Sequence, residues 1–205
     1  MNIHIGCEFK IGKSWKNYDV SYVALFEKIP IIGKILKINS NRYPKEVMYG
    51  DISTSILCEA NEANNIFCSH TLEHMPLESM KSALKNIYTM LKPNGCFRLI
   101  VPNLKIRAEY YIKNENADFF LETIGMGQKK NRKTFLEKLR NLFGNSLHKW
   151  MYDEKSMHKY LSETGFKNIK KCQFGDSGIE VFSEIEELHR FIDKDFIEVA
   201  FQCTK

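Results

Sequence analysis

Glycine and polar residues follow predicted strands at five places in the chain, and these are the residues whose types could do chemistry. They are Gly6-Cys7-Glu8, Asp19, Asp51, Ser69-His70 and Pro102-Asn103. In an open α/β sheet, ligands bind in the crevice outside the carboxyl ends of the strands. A glycine turn lets backbone N–H groups approach a ligand, and a carboxylate can accept hydrogen bonds from two adjacent hydroxyls. The pattern therefore predicts a site for a polar small molecule at one edge of a sheet.

The strands that must position these residues are short and apolar. We predict them at 2–5, 15–20, 46–49, 65–69, 96–102, 167–174 and 196–204. The first two are separated by only about a dozen residues, which leaves no room for a helix of normal length. The segment 22–44 is punctuated by Pro30 and Gly33, so it sustains neither a helix nor a strand pattern and is predicted to be irregular.

Helix signals lie between the later strands. Pro76 opens a predicted helix with an apolar stripe from Leu77 to Leu91, and the residues at 92–95 end it. A second helix begins at Asp153 and ends before Gly165, and weaker patterns predict helices near 134–143 and 183–191. This order of elements indicates a doubly wound, open, twisted and mostly parallel α/β sheet, with a helical insertion after the fifth strand.

Composition limits the class of protein. The chain has 205 residues and 43% hydrophobic residues, which is typical of one compact domain, here taken as 1–205. No apolar run approaches the roughly 18 to 20 residues of a membrane span, and the N-terminus lacks a signal-peptide pattern, so we expect a cytoplasmic protein. The six cysteines form no CxxC pair or Cys/His cluster, so we expect reduced thiols and no metal site.

The net charge of +5 is concentrated in one segment. Residues 105–149 contain ten Lys or Arg against five Asp or Glu. This basic insertion is either a solvated surface or a region that favours an anionic acceptor. Few aromatic residues are interleaved with the charges, which argues against a nucleic-acid partner.

Several stretches together resemble a known family. HIGCEF followed by SWKNYD is similar to a first strand, a GCG turn and a second strand, and FCSHTLEHMP is similar to a fourth strand. YTMLKPNGCFRLIVPNL resembles the helix and fifth strand of that family, and HKWMYDEKSMHKYLSETGF resembles a later segment. The family is that of small bacterial class I methyltransferases that use S-adenosylmethionine. The resemblance spans most of the chain apart from 22–44 and much of the basic insertion.

The resemblance implies cofactor contacts residue by residue. Gly6, Cys7 and Glu8 would face the methionine end of S-adenosylmethionine, Asp19 the ribose hydroxyls and Asp51 the adenine edge. Ser69 and His70 would flank the sulfonium. Asp51 has an alternative interpretation as a turn residue only.

Glu8 departs from the family pattern because it stands where the family has a second glycine. Two interpretations remain open. Its carboxylate could face the α-ammonium group of the cofactor, or it could occupy the place of the cofactor. A non-glycine residue in the left-handed region costs only about 1 kcal/mol, so we favour retained binding.

The acceptor side is predicted from fewer signals. His148 and His70 are the candidate bases, with Trp150, Tyr152 and Asn103 as pocket residues, although a lone histidine is more often structural. His74 is interpreted as orienting the following helix, and Glu73 as a capping or salt-bridge residue.

The predicted function is O-methylation of a small, glycan-type or nucleotide-sugar-type acceptor. The alternatives are a methyltransferase-like scaffold that has lost catalysis, supported by Glu8 and Asn103, and a nucleic-acid methyltransferase. A homodimer is compatible with the sequence, and neither the acceptor nor the methylated atom can be named from it.

Overall fold

The computed structural model describes residues 1–27, 42–127 and 147–205. Within them, seven strands form one sheet: β1 (Asn2–Ile5), β2 (Lys16–Asp19), β3 (Val47–Tyr49), β4 (Ala63–Ser69), β5 (Leu91–Val101), β6 (Lys167–Lys171) and β9 (Val199–Thr204). Their order across the sheet is β3-β2-β1-β4-β5-β9-β6. The first five strands in this order are parallel, and β9 runs antiparallel to both of its neighbours. The predicted mostly parallel, doubly wound α/β fold is confirmed.

The remaining elements surround this sheet. A two-stranded hairpin is formed by β7 (Ile192–Asp193) and β8 (Phe196–Ile197). The helices are α1 (Tyr22–Glu27), α2 (Leu77–Met90), α3 (Leu104–Asn114), α4 (Ala117–Thr123), α5 (Glu154–Thr164) and α6 (Leu188–Phe191), with 3₁₀ turns at Leu72–His74 and Glu180–Glu184. None of the helices in these described ranges has the length and apolar character that a membrane crossing requires. The six cysteines form no disulfide.

One face of the sheet is covered by α2 and α5. The apolar stripe of α2 is buried from Met80 onward, with Leu84 and Ile87 in the same core cluster as Ile66 and Leu99 of β4 and β5. The predicted boundaries of α5 are confirmed. Asp153 Oδ1 accepts a hydrogen bond from the Ser156 N–H at 2.7 Å, and Gly165 ends the helix with φ +108°.

The other face is covered by a segment from the C-terminal third, residues 179–191, which we call the return segment. Phe182 and Ile185 pack against Phe67 of β4, and the indole Nε1 of Trp15 donates a hydrogen bond to the Val181 carbonyl at 3.1 Å. Because the short link between β1 and β2 contains no helix, the return segment covers the surface that such a helix would occupy. It also brings Arg190 to the carboxyl edge of the sheet.

Some predicted element bounds were wrong. Residues 22–27 form the helix α1 inside the segment predicted to be irregular, and β5 starts earlier than predicted because Leu91 already pairs with Ala63. The predicted helix at 183–191 is a 3₁₀ turn and a separate short helix. The predicted strand at 196–204 is interrupted where Glu198 turns inward to bind Arg107. The predicted helix at 134–143 lies outside the described residues, and the assignment of 1–205 to one domain stays a prediction.

Candidate active site

The turn after β1 requires glycine at its first position. Gly6 has φ +68°, and a Cβ there would lie 1.9 Å from Thr71 Oγ1. The N–H groups of Gly6 and Cys7 both donate to the Tyr18 carbonyl, at 2.9 and 3.1 Å. The turn is therefore folded tightly against the end of β4, where an added side chain would displace Thr71.

Glu8 adopts the left-handed conformation that the sequence suggested for a glycine, with φ +46°. Its backbone N–H donates to Asp19 Oδ2 at 3.0 Å, which offsets part of the cost of about 1 kcal/mol for that conformation. Its carboxylate lies 2.7 Å from the Arg190 guanidinium. Glu8 is thus accommodated by the turn, and its side chain has a partner that neither sequence interpretation named.

The two strand-end aspartates have different surroundings. Asp19 is buried and accepts N–H groups from Glu8 and, at 2.8 Å, from Ser21. Burial raises the pKa of Asp19, and these two N–H donors oppose the effect. Asp51 is half-buried and binds the Ser53 N–H and hydroxyl at 2.9 and 2.6 Å, which is an Asx turn. The turn interpretation therefore accounts for the Asp51 contacts without a ligand.

The end of β4 presents a polar atom without a protein partner. Ser69 is buried, and its hydroxyl makes no hydrogen bond. Together with the glycine turn and the Asp19 carboxylate, whose oxygens each retain acceptor capacity, this hydroxyl fits a ligand with hydroxyl and amino groups. The residues at this edge are therefore compatible with S-adenosylmethionine.

A cavity of about 480 Å³ opens beside this edge. Its wall brings together three of the predicted site residues, Glu8, His70 and His148. Gly6, Cys7 and Ser69 line an adjoining crevice of only about 10 Å³, which shares Arg190 with the larger cavity. The larger cavity is therefore the candidate acceptor pocket, and Glu8, the last residue of the glycine turn, lines it.

Three imidazoles and one carboxylate cluster in the wall of this cavity. Glu73 is fully buried, with Oε1 3.5 Å from His70 Nδ1 and 3.9 Å from His74 Nε2. Burial acts to raise the pKa of Glu73, but the neighbouring imidazoles outweigh it and hold that pKa below its usual value. Burial likewise acts to lower the pKa of His70, yet Glu73 outweighs it, so the pKa of His70 is raised.

His148 completes the cluster from a distant part of the chain. Its ring centroid lies 5.0 Å from that of His74, and burial lowers its pKa. Gly125, with φ +69°, passes so close that a Cβ would lie 2.5 Å from His148 Nδ1. The imidazole of His148 is therefore confined by packing and is mainly neutral at pH 7.

The three predicted pocket residues do not line this cavity. Tyr152 is fully buried, and its hydroxyl donates to the Leu72 carbonyl at 3.3 Å. Asn103 caps α3 by accepting the Lys105 N–H at 3.1 Å, and Trp150 is exposed on the surface. These side chains have structural or solvent contacts instead of facing the cavity.

Two residues of this wall, Arg190 and Glu73, were not among the predicted site residues. Arg190 came from a segment with no recognised motif, so nothing in the sequence linked it to Glu8. Glu73 was interpreted as a capping or salt-bridge residue; α2 has no side-chain cap, but the ion pairs of Glu73 with His70 and His74 agree with the salt-bridge interpretation. The spacing His70-x-x-Glu73-His74 was the available signal for this cluster.

Comparison with known proteins identifies the family. A family model described as "Methyltransferase domain" matches residues 13–171, more than three quarters of the chain. The chain belongs to this family. It is a class I methyltransferase that uses S-adenosylmethionine. Because the match begins after the glycine turn, the role of Gly6 and Glu8 in holding the cofactor stays a prediction.

The fold assignment is supported by the first of two solved structures that resemble this chain, and the second is a weaker match. A SAM-dependent methyltransferase from Methanosarcina mazei is 14% identical with a TM-score of 0.52, and the match covers 100% of this chain and 91% of that one. A SAM-dependent methyltransferase from Archaeoglobus fulgidus is 13% identical with a TM-score of 0.48, covering 100% and 85%. No curated protein sequence matches significantly. The identities are low, so the structural likeness extends to the fold.

Proposed function

We propose that this methyltransferase modifies an oxygen of a small, hydroxyl-rich acceptor of the glycan or nucleotide-sugar class. The observation that carries the proposal is the cavity of about 480 Å³, which joins Glu8 of the glycine turn to the imidazoles of His70 and His148. In this proposal the carboxyl edge holds the cofactor through Gly6, Asp19 and Ser69. The acceptor occupies the cavity beside it.

Methylation of a hydroxyl needs placement and a proton acceptor. When bound, S-adenosylmethionine supplies an electrophilic methyl group whose S–C electron pair remains with sulfur. An acceptor oxygen lone pair forms the new O–C bond, and the hydroxyl proton passes to an imidazole. His148 suits this role because its lowered pKa leaves a ring nitrogen unprotonated at pH 7.

The chemistry of the wall supports a polar acceptor. The cavity is lined by carboxylates and imidazoles that can accept hydrogen bonds from hydroxyls, among them Glu122 and Asp193. Its two arginines are already paired, Arg107 with Glu198 and Arg190 with Glu8. A sugar-like acceptor therefore agrees with the described wall. The basic residues that favoured an anionic acceptor lie largely in 128–146, outside the described residues.

The test combines cofactor binding with product analysis. Calorimetric titration with S-adenosylmethionine should show binding that Asp19→Ala weakens about tenfold or more, equivalent to about 1.4 kcal/mol. Asp153→Ala is the matched control, because Asp153 also accepts a backbone N–H but caps α5 far along the chain. An equal loss in both variants would contradict the assignment of Asp19.

Acceptor class is tested by incubating the protein and cofactor with monosaccharides, nucleotide sugars and an RNA oligonucleotide. We expect S-adenosylhomocysteine release and a methyl ether only with the sugar-containing acceptors. His148→Gln should lower kcat by about 10²-fold or more, whereas His158→Gln should not. Methylation of nitrogen, or of RNA alone, would overturn the proposed acceptor.

A further inference from the structure

The histidine cluster has an unusual arrangement of lone pairs. His70 Nε2 lies 2.8 Å from the Arg190 carbonyl, and His74 Nδ1 lies 3.2 Å from the Leu147 carbonyl. A carbonyl only accepts hydrogen bonds, so each of these nitrogens carries the proton. In the neutral imidazoles, the other nitrogens, His70 Nδ1 and His74 Nε2, then present lone pairs toward the Glu73 carboxylate.

Protonating one of the imidazoles would compensate the Glu73 carboxylate only in part. A charge-assisted hydrogen bond between an imidazolium and a carboxylate spans about 2.7–2.9 Å. The separations from Glu73 Oε1 are 3.5 Å to His70 and 3.9 Å to His74. Both oxygens of Glu73 are fully buried and make no hydrogen bond. Burial of this carboxylate is therefore opposed only by imidazoles at ion-pair distance, and the oxygens and the imidazole lone pairs leave a place for a cation between them.

We infer that Glu73, His74 and His148 form a binding site for a divalent first-row transition metal ion. One donor atom from each of the three residues lies within 4.8 Å of the other two. A zinc-like ion with bonds of about 2.0–2.1 Å would draw tetrahedral ligands to about 3.3 Å apart. Small side-chain rotations close that difference, and the space between the donors is where the ion sits.

The donor set also selects the class of ion. Two imidazoles and one carboxylate without thiolates favour zinc, cobalt, iron or manganese over soft metals. The carbonyl contact of His74 Nδ1 fixes the ring so that Nε2 is the donor, which is the usual outer support of a metal-binding histidine. All three residues line the large cavity, so open coordination positions face the space available to an acceptor. This site differs from the sequence expectation of no metal.

The consequence for catalysis rests on the proposed function, whereas metal binding itself does not. A bound ion would hold an acceptor hydroxyl and lower its pKa, so that the proton leaves before or during methyl transfer. His148 would then act as a ligand in place of the base proposed above, since one lone pair cannot serve both roles. The proton would pass to water in the open cavity.

The test uses tag-free, full-length protein and Co²⁺, because cobalt absorption reports both stoichiometry and ligand type. We expect one equivalent to bind, with the visible bands of nitrogen and oxygen ligation. Proton NMR of the cobalt form should show two shifted imidazole N–H signals. Glu73→Gln and His74→Ala should each weaken binding at least tenfold, and His158→Ala, an exposed histidine on α5, should leave it unchanged.

Several results would overturn the inference. These are absence of saturable binding, thiolate-to-cobalt absorption indicating one of the cysteines, or equal affinity in the wild type and both ligand variants. The NMR count needs no variant, so a variant that fails to fold does not remove the test. Titration with S-adenosylmethionine is a separate measurement, so failure of the metal site and failure of the proposed function are distinguishable.

Discussion

Two buried charged clusters in this protein are built in opposite ways. Arg98, whose side chain is fully buried, donates hydrogen bonds to four partners: Glu186, Gln202 Oε1 at 2.8 Å, Asp176 Oδ1 at 2.8 Å and the Gln173 carbonyl at 2.5 Å. Around Glu73, equally buried, both carboxylate oxygens are without a hydrogen bond and three imidazoles stand nearby. The first cluster joins the return segment to the sheet, and the second faces the cavity.

The difference in hydrogen bonding between the two clusters indicates that one stabilises the fold and the other serves binding or catalysis. A satisfied buried network stabilises the fold, because removing one member leaves another charge unpaired. A buried network with unpaired polar atoms is tolerated only where a ligand or ion supplies the missing partner, or where the unpaired group takes part in catalysis. On this basis the Arg98 cluster should be sensitive to mutation in stability measurements, and the Glu73 cluster in binding measurements.

The largest expected effect is on the satisfied cluster. Arg98→Met removes the guanidinium and leaves Glu186 as a buried, uncompensated charge, so we expect the free energy of unfolding to fall by about 3–5 kcal/mol in urea titrations. Adding Glu186→Leu should recover part of that loss. A single-variant loss below about 1 kcal/mol would break the comparison, because it would show that the network does not hold the return segment in place.

A third buried polar residue, His4, tests the case of a buried group that is neutral. Burial lowers the pKa of His4 to about 3, and its Nδ1 has no hydrogen-bond partner. The unfolded chain binds a proton near pH 6.5 and the folded chain does not, so stability falls as pH decreases through 6.5. We expect a loss of about 2 kcal/mol between pH 8 and pH 5 from this residue.

Urea titrations at the two pH values measure this effect. His4→Leu should remove that part of the pH dependence, whereas His158→Leu, an exposed histidine, should retain it. An unchanged slope in His4→Leu would mean that another group accounts for the acid sensitivity.

The smallest expected effect is on the unsatisfied cluster. Glu73→Gln relieves the burial of a charge and loses only long ion pairs of 3.5 and 3.9 Å, with no hydrogen bond to lose, so without added metal the free energy of unfolding should change by about 1 kcal/mol or less. Thermal and urea unfolding of metal-free protein measure this. A loss as large as that of Arg98→Met would show that the carboxylate is a structural partner, and the contrast between the two clusters would disappear.

Local signals in the sequence predicted the sheet and the main helices well. The stripe of α2, the Asp153 cap and the glycine at 165 each act within a few residues, so the sequence shows them directly. A helix was predicted at 183–191, but the packing of the return segment was not, because it depends on residues about 80 to 180 positions away, such as the contact of Trp15 with Val181. For the same reason the Glu8–Arg190 pair could not be foreseen.

The sequence predicted the strand-end residues of the candidate site better than the residues of the acceptor pocket. Gly6, Asp19 and Ser69 lie at strand ends, where topology alone places them together, and the structure brings His70 and His148 to one cavity. Tyr152 and Asn103 were expected in the pocket because of their positions, one beside His148 in the later segment and the other after the proline of the fifth strand. Only tertiary contacts reveal that one is used in the core and the other as a helix cap.

The position of β9 has a consequence for how the protein is made. The last strand of the chain lies inside the sheet, between β5 and β6, and the return segment that precedes it supplies the partner of Glu8. During synthesis this edge of the sheet stays incomplete until the return segment and β9 have left the ribosome. Folding of this methyltransferase is therefore a late, long-range event, and the nascent chain exposes the unpaired edge of β5 until β9 arrives.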